Sequence, residues 1–382
     1  MKYSLSSLCE YRKGKVNVDG LNKDTYISTE NMLPNKGGVI RATSLPTTSQ
    51  TQEYKKGDVL VSNIRPYFKK IWQAEYDGGC SNDVLVFKAN ENTDKDFLYY
   101  VLADDAFFNY SMATSKGTKM PRGDKTSIMQ YGVPNYDIVE QKKIACVLCL
   151  LDKKIEFNNK INNNLEQQAQ AYFDELFVVN ADPNWPECTL SDIGSVVAGG
   201  TPSKSKLEYY VDQGIAWITP KDLSVDKSKF ISHGENDISE LGFSKSSAMK
   251  MPAGTILFSS RAPIGYIAIA QNEVTTNQGF KSVIPNENIG TAYMYFLLKN
   301  LLPTIEGMAS GSTFKEISGA AMKSVPTVMP DADTIQLFSN FCEPVFKEQE
   351  VLEAENKHLS ALRDSLLPKL MSGELDVSHI DL

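Results

Sequence analysis

Apolar residues recur at alternating steps of four and three in two separate stretches, about 141–177 and 334–370, and this repetition limits the fold more than any other feature. In the first, Ile144, Leu148, Leu151, Ile155, Asn158, Asn162, Leu165, Ala169, Tyr172 and Leu176 form a heptad seam. Such a seam marks a helix packed lengthwise on another helix. Moved by 194 residues it becomes Phe338, Cys342, Val345, Gln349, Leu352, Asn356, Leu359, Arg363, Leu366 and Leu370. A second phase through Phe341, Leu352, Leu359, Leu362 and Leu366 fits about as well, so the facing side of the second helix stays open. One such stretch describes an ordinary core helix; two of equal length, each closing a similar globular segment, describe a paired rod. Asn158 and Asn162 weaken the seam but fix its register and partner. At the helical rise each rod is about 55 Å long.

The segments before the rods resemble each other. Residues 1–135 read as a mixed, strand-rich domain, with short apolar runs beginning at Asp24, Gly37, Gly57 and Val84 between turn signals, and a helical pattern over Lys95 to Tyr110. Lys56-Gly-Asp-Val-Leu-Val-Ser-Asn-Ile-Arg-Pro matches Ala253-Gly-Thr-Ile-Leu-Phe-Ser-Ser-Arg-Ala-Pro, Gly117-Thr118 matches Gly311-Ser-Thr313, and Val133-Pro134 matches Val325-Pro326. The chain is therefore an internal duplication: a domain over 1–135, a helix over 136–182, a second domain over 183–326 and a second helix with its tail over 327–382. Pro344 is expected near the start of that helix, with Pro368 and Gly373 ending it. Antiparallel pairing of the helices lets the second domain leave and return at one end, giving an α+β dumbbell of two similar strand-rich domains separated by an antiparallel coiled coil, with pseudo-two-fold symmetry. Two heads on a rod suit two different DNA half-sites, one helical turn of about 34 Å or a multiple of it apart.

Charge is distributed in a way that fits this. The net charge of the 382 residues is −8. Residues 1–135 hold 18 Lys+Arg against 15 Asp+Glu, whereas 327–382 hold 4 against 11, so the acid sits on the helical part and a duplex can meet the heads without meeting it. Six cysteines without a small-domain framework suit a reducing cytoplasm. The CxxC of Cys146 and Cys149 is lone and inside the first helix, which favours packing over metal. No apolar run has the length of a membrane span or a signal peptide.

Val197-Ala-Gly-Gly-Thr-Pro-Ser203, Ile215-Ala-Trp-Ile-Thr-Pro-Lys-Asp-Leu-Ser224 and Leu366-Leu-Pro-Lys-Leu-Met-Ser-Gly-Glu-Leu-Asp-Val377 together resemble the specificity (S) subunit of Type I restriction–modification enzymes over nearly the whole chain. The first domain lacks the Gly-Gly-Thr-Pro-Ser segment; its Tyr26-Ile-Ser-Thr-Glu-Asn-Met32 resembles another opening of such domains. The resemblance implies two target recognition domains, each reading half of a split double-stranded DNA site, and helices that set the spacer and dock two modification subunits. Those partners bind S-adenosylmethionine and methylate adenine; restriction subunits can join to make an ATP-driven endonuclease. The specificity subunit itself has no catalytic site and no cofactor.

The residues agree with this. There is no Asn-Pro-Pro-Tyr/Phe motif, no phosphate-cradling glycine loop and no histidine cluster; His233, His358 and His379 read as surface residues. DNA-contact candidates come from polar loops rich in donors: Ser28, Thr29, Arg41, Asn63, Arg65, Lys69, Lys119 and Arg122 in the first domain, and Thr201, Ser203, Lys204, Lys206, Thr219, Lys221, Arg261, Gln278, Thr313 and Lys315 in the second. Lys and Arg meet phosphates; Arg on guanine and Asn or Gln on adenine discriminate. Arg65 and Arg261 are expected at equivalent places. The bland readings stand beside these: Gly199-Gly200 as a tight turn needing positive φ, each loop lysine as a solvated charge, Trp217 and Phe258 as core, Asp222 as a cap. Two other functions fit a two-headed chain, a stand-alone enzyme that methylates or cleaves DNA and a scaffold with no DNA role.

Overall fold

Both heptad stretches are helical in the computed structural model, as Ile138–Asp174 and Ala332–Ser372, the first continuing into a π-helical turn at Glu175–Val179. The structure describes residues 3–311, 315–377 and 379. It forms two units, Met1–Glu156 with Lys357–Leu382, and Phe157–Asn356, and each long helix contributes to both.

In each unit the helices run antiparallel, because partners climb one sequence while descending the other. In the first unit Tyr136 Oη donates to the Leu370 carbonyl at 2.7 Å and Arg363 meets Asp152 at 2.7 Å. In the second, Asn158 donates to Glu355 (2.7 Å) and Asn356 (3.0 Å), Gln349 donates to the Asn162 carbonyl, and the Tyr172 and Phe341 rings lie 4.8 Å apart. The open choice of phase resolves in favour of the 194-residue shift: Phe338, Cys342, Gln349, Leu352 and Leu370 are buried, while Leu362 is 37% exposed. Pro344 and Pro368 both lie inside the second helix, on exposed positions, and the helix ends at Ser372 before Gly373 at φ +78°. The expectation that Pro344 marks the start and Pro368 the end is corrected. Proline costs about 3 kcal/mol in a helix interior, and the packed neighbours Cys342, Leu367 and Leu370 outweigh it.

The body of the first unit holds two four-stranded sheets. One runs in the order Cys9–Tyr11, Val84–Ala89, Val59–Ser62, Ile71–Gln73, all antiparallel. The other runs Lys15–Asn17, Gln50–Tyr54, Gly78–Cys80, Tyr26–Ile27, with the last pair parallel. Alternation sends Val59, Val61, Leu85 and Phe87 into a core with Phe97, Leu98, Phe107 and Ile128, which is continuous with Ile144, Leu148, Leu367 and Leu370 of the helices. The helical pattern over Lys95 to Tyr110 is two helices, Lys95–Ala103 and Asp105–Ala113. Asp104 breaks it, with extended φ/ψ and a carboxylate that caps the Ala106 N–H. The run at Gly37 makes only the single bridge Met32↔Val39, since positive φ at Asn35, Lys36 and Gly38 turns the chain before a strand can extend.

The second unit repeats the first sheet as Gly194–Ala198, Lys281–Pro285, Ile256–Ser260, Ile264–Ala270, and adds a fifth, parallel strand, Phe230–Ile231. Its other sheet is ordered Tyr210–Val211, Asn236–Ile238, Ile215–Ile218, Thr275–Thr276. A block of rings from Phe173, Phe177, Tyr293, Phe296 and Phe338, with centroids 4.8–6.0 Å apart, joins body to helices.

Beside that block Lys229 is buried. Its ammonium lies over Phe346 (4.2 Å) and Tyr295 (4.8 Å), pairs with Glu166 and donates to Gln349 at 2.6 Å. Glu166 also takes Lys299 at 2.5 Å. Burial pushes the Glu166 carboxyl up, but the two ammonium groups outweigh it and hold its pKa below the usual range. A carboxyl with a depressed folded pKa adds stability that is full above its unfolded pKa and is lost as pH falls through the folded one. Lys229→Met should therefore cost the second unit about 3 kcal/mol, the low end for opening a buried pair because Lys299 remains. It should also move acid unfolding, followed by circular dichroism, to higher pH. An unchanged acid midpoint would show that this carboxylate does not hold the unit together.

Candidate nucleic-acid interface

The strand Val59–Ser62 in the first unit and Ile256–Ser260 in the second each run into a turn before a proline, and the donors gather around these turns. Asn63 N–H donates to the Asp83 carbonyl, Gly123 N–H to the Asn63 carbonyl, and Ile64 bridges Arg122. In the second unit Ser260 N–H donates to the Gly279 carbonyl, Ile317 N–H to the Ser260 carbonyl, and Arg261 bridges Glu316. This pairing makes Asn63 the counterpart of Ser260, Ile64 of Arg261, and Arg122 of Glu316. Arg65, at φ +50°, then matches Ala262, at φ +49°, each before a proline. The expected equivalence of Arg65 and Arg261 is thus off by one residue; the matched segments, aligned proline to proline, set Arg65 opposite Ala262 and Ile64 opposite Arg261.

In the first unit Ser28, Thr29 and Arg41 line one hollow of about 320 Å³, which Asp83 borders. Ser28 is braced by Asn31, whose side-chain oxygen accepts from the Ser28 N–H at 2.6 Å, and Arg41 lies 3.3 Å from Asp24. Arg122 reaches Asp83 at 3.1 Å and Arg65 N–H donates to the Pro121 carbonyl, so Asn63, Arg65 and Arg122 adjoin the same hollow. Lys69 is drawn off to Asp105 at 2.7 Å, a carboxyl that burial raises but Lys69 and Lys36 hold low. Lys119 is exposed in the loop beyond Lys116, whose contact with Asp124, together with the Ser127 N–H, holds that carboxyl down at about 2.

In the second unit the Gly-Gly-Thr-Pro-Ser segment is strapped down. Gly200 N–H donates to the Thr276 carbonyl at 2.8 Å, Trp217 Nε1–H to the Gly200 carbonyl at 3.0 Å, and Tyr210 Oη–H to the Pro202 carbonyl at 2.7 Å. Trp217 and Phe258 are core. Neither Gly199 nor Gly200 has positive φ. They are glycines because a Cβ would lie 1.9 Å from the Asn277 carbonyl oxygen at Gly199 and 2.3 Å from the Ala248 nitrogen at Gly200, a correction to the tight-turn reading. The strap presents Thr201, which donates to Gln278; Gln278 adjoins Gly279, and Gly279 adjoins Ser260 and Arg261. Arg261 lies 3.4 Å from Glu316, which also faces Lys281 at 3.7 Å, with Lys315 exposed beside it. Thr219 caps the helix Pro220–Val225 with Asp222 in a capping box, so Asp222 is a cap. Lys221 is turned to Glu235 at 2.5 Å, Ser203 meets Ser205, Lys204 is exposed, and Lys206 lies 3.9 Å from Glu208. Thr313 lies outside the described residues.

The carboxylates Asp83 and Glu316 were missed in the sequence reading. The matched pair Gly117-Thr118 and Gly311-Ser-Thr313 was signal enough for Glu316, since the same 194-residue shift carries Arg122 onto it. Among the described residues no group of three or more His, Cys, Asp or Glu could hold a metal ion, and no helix is long and apolar enough to cross a membrane.

The profile of the Type I restriction modification DNA specificity domain matches residues 1–167 and again 183–359. The chain belongs to that family. It is 38% identical to the Type I restriction enzyme MjaIX specificity subunit of Methanocaldococcus jannaschii over 47% of this chain and 44% of that protein's length. It is 24% identical to the HindI specificity subunit of Haemophilus influenzae over 98% of this chain and 99% of that one. The Type-I restriction-modification system S subunit from M. genitalium shares the fold, with a TM-score of 0.60 at 18% identity over 97% of this chain and 96% of that chain.

Because Gly199 admits no side chain, Gly199→Ala should lift the strap and destabilise the second unit by about 1–3 kcal/mol, the usual cost of forcing atoms into a packed site. Tryptophan fluorescence from Trp217 should report the displacement during thermal unfolding. A variant with wild-type melting and fluorescence would mean that the strap is not held by this close approach.

Proposed function

We propose that this specificity-family chain reads a bipartite, asymmetric site on double-stranded DNA, one half with each unit, and changes no covalent bond itself. The observation that supports this best is the pair of matched turns at 62–66 and 259–263, where the same backbone presents different donors. Arg122 and Arg261 are half-exposed and held by single carboxylates, at 3.1 and 3.4 Å. Exposed pairs of this kind are worth about 0–1 kcal/mol, so either arginine can exchange its carboxylate for a phosphate or for guanine O6 and N7 at little cost. The freed Asp83 or Glu316 is then an acceptor suited to the amino group of cytosine. Ser28, Thr29 and Arg41 in the first unit, and Thr201, Gln278 and Lys315 in the second, complete the two surfaces. Lys69, Lys206 and Lys221 are assigned to phosphate or to plain solvation.

In this reading the long helices set the spacer and dock two modification subunits. Those subunits would bring S-adenosylmethionine and the adenine methylation, and restriction subunits could join them, all in the cytoplasm. The heptad seam supports a fixed length, since Asn158, Asn356 and Gln349 admit one register.

Methylation-site sequencing of a host carrying the chain with its partner methyltransferase tests both parts. Arg261→Ala should relax one base position in the second half-site only, weakening binding by about 1–3 kcal/mol; equal loss at both halves would overturn its assignment. Removing one heptad from both helices should shorten the spacer by about 10 Å, roughly three base pairs, with both half-sites unchanged. An unaltered spacer would end the reading of the helices as a measure.

A further inference from the structure

Left-handed backbone gathers at one place in the first unit. Five described residues other than glycine have positive φ, and four of them, Asn35, Lys36, Arg65 and Lys69, meet at the turn that follows Val59–Ser62. The fifth, Ala262, is the counterpart of Arg65. Asn35 N–H donates to the Phe68 carbonyl at 2.8 Å and Lys36 N–H to the Lys69 carbonyl at 2.9 Å, so residues 33–38 brace the turn. Lys36 and Lys69 also share the Asp105 carboxylate, at 3.0 and 2.7 Å. Backbone of this kind persists where contacts over-determine it, and it concentrates at binding sites.

What the braced turn presents is Pro66–Phe68, with two rings in solvent. Tyr67 is 49% exposed and Phe68 38%, and their centroids are 4.6 Å apart, so Phe68 backs Tyr67. The Lys70 ammonium lies 5.8 Å from the Phe68 ring and donates to the Thr29 carbonyl at 2.6 Å, which ties the rings to the hollow of Ser28, Thr29 and Arg41. At the other end of the turn Arg65 is bonded to Pro121, beside Arg122. The turn and its brace, residues 62–70 and 33–38, hold four cations and no carboxylate. Asp105 takes Lys36 and Lys69, and Glu30 lies near Lys70, which leaves a surplus of two positive charges. The neighbouring pairs Arg41–Asp24 and Arg122–Asp83 are neutral. A lone exposed ring is ordinary; a pair held out by a rigid turn among cations is a stacking surface for bases.

The second unit lacks this device. Three residues, 264–266, separate Pro263 from Ile267, where four, 67–70, separate Pro66 from Ile71. Ile264 pairs back to Ser260, Tyr266 N–H donates to Ser259 Oγ at 2.7 Å, and the Tyr266 ring is partly buried with the Lys227 ammonium 4.5 Å from it.

We propose that Tyr67, backed by Phe68, is a wedge that enters the base stack at one edge of the first half-site and bends the duplex there. This rests on the DNA-reading function proposed above and adds a second way of reading to it. Apolar side chains pushed between base pairs kink DNA, and pyrimidine–purine steps yield most easily. The first unit thus selects a deformable step beside the bases whose edges it reads, and the second unit does not.

The full chain, with its partner methyltransferase, is bound to duplexes carrying the whole site, and energy transfer between dyes flanking each half-site reports bending. Wild-type and Y67F chains should bend the first half-site alike. Y67A should bend it less and bind about tenfold more weakly, while the second half-site is bent and discriminated as before, which marks a folded chain. An unpaired base at the wedged step, which unstacks it in advance, should restore much of the affinity of Y67A. Wild-type bending and affinity in Y67A, failure of Y67F equal to that of Y67A, or equal loss at both half-sites would each overturn the wedge while leaving DNA reading intact. A wild-type chain that selects no bipartite sequence would overturn DNA reading itself, and the wedge with it.

Discussion

Each unit is fastened to the long helices through a carboxylate on the first of them. In one unit Asp152 accepts from Tyr100 at 2.6 Å and from Arg363 at 2.7 Å; in the other Glu166 holds Lys229 and Lys299 and faces Tyr295 at 3.4 Å. Apolar packing supplies the favourable free energy, through Ile144, Leu148, Leu367 and Leu370 in the first unit and Phe173, Phe296 and Phe338 in the second. Yet greasy contact along a seam tolerates small rotations. A buried charge such as Lys229 does not, because it loses several kcal/mol of solvation unless its partners are placed to return it; the half-buried pair of Arg363 and Asp152 does this more weakly. What Glu166 and Lys229 add is therefore a single docking angle as well as stability.

The duplication does not explain these anchors. The 194-residue shift carries Asp152 onto Phe346 and Glu166 onto Ser360, and the tyrosines that meet these carboxylates are not counterparts either: Asn90 and Asn286, which bond alike to the Leu8 and Ile193 carbonyls, set Tyr295 opposite Tyr99 and Phe296 opposite Tyr100. The same mechanical task is met with different charges from different helix positions. In the first unit the cation comes from the second long helix, as Arg363; in the second it comes from the globular body, as Lys229. That exchange goes with the presence of a fifth strand in one sheet and its absence in the other, since the strand carries Lys229 to its place. The other sheets have diverged as well. Each keeps a parallel pair, Tyr26–Ile27 with Gly78–Cys80 and Ile215–Ile218 with Thr275–Thr276. The remaining strands join on the side of Gly78–Cys80 in one and of Ile215–Ile218 in the other.

How far the sequence could be read depended on the range of the interaction involved. The heptad seams and the repeat were legible because periodicity is local and recurs. The choice between two phases of the second helix was not, for both offer leucines, and only contact with the first helix, Asn158 to Asn356 and the Asn162 main-chain carbonyl to Gln349, settles it. Asp104 inside a helical pattern was overlooked because its capping role depends on φ/ψ, not on hydropathy. The glycines of the strap were noticed but given the wrong reason: close approach to Asn277 and Ala248 joins residues far apart in sequence, and no local pattern encodes it. Lys229 was invisible for the same cause, one of two lysines in Lys227-Ser-Lys-Phe230 whose cage comes from three separate segments.

The donors show the limit most directly. Matching arginine to arginine placed Arg65 with Arg261, whereas backbone pairing matches Arg65 with Ala262 and gives Arg261 the position of Ile64. The acid and the base have in effect changed sides. Arg122 stands in the first unit where Glu316 stands in the second, and the carboxylate that faces Arg122 comes from Asp83, a position taken by Gly279. One position can change sign in this way and draw its partner from a different turn, Asp83 in one unit and Arg261 in the other, because attraction is indifferent to which segment carries which sign. On the proposed surface a nucleic acid is not indifferent, because the exchange puts an acceptor, Glu316, where the other unit has a donor, Arg122. Two domains can thus keep one backbone, and much of one sequence motif, while offering different bases different partners. In the proposed reading, two such domains share a fold without sharing a base preference.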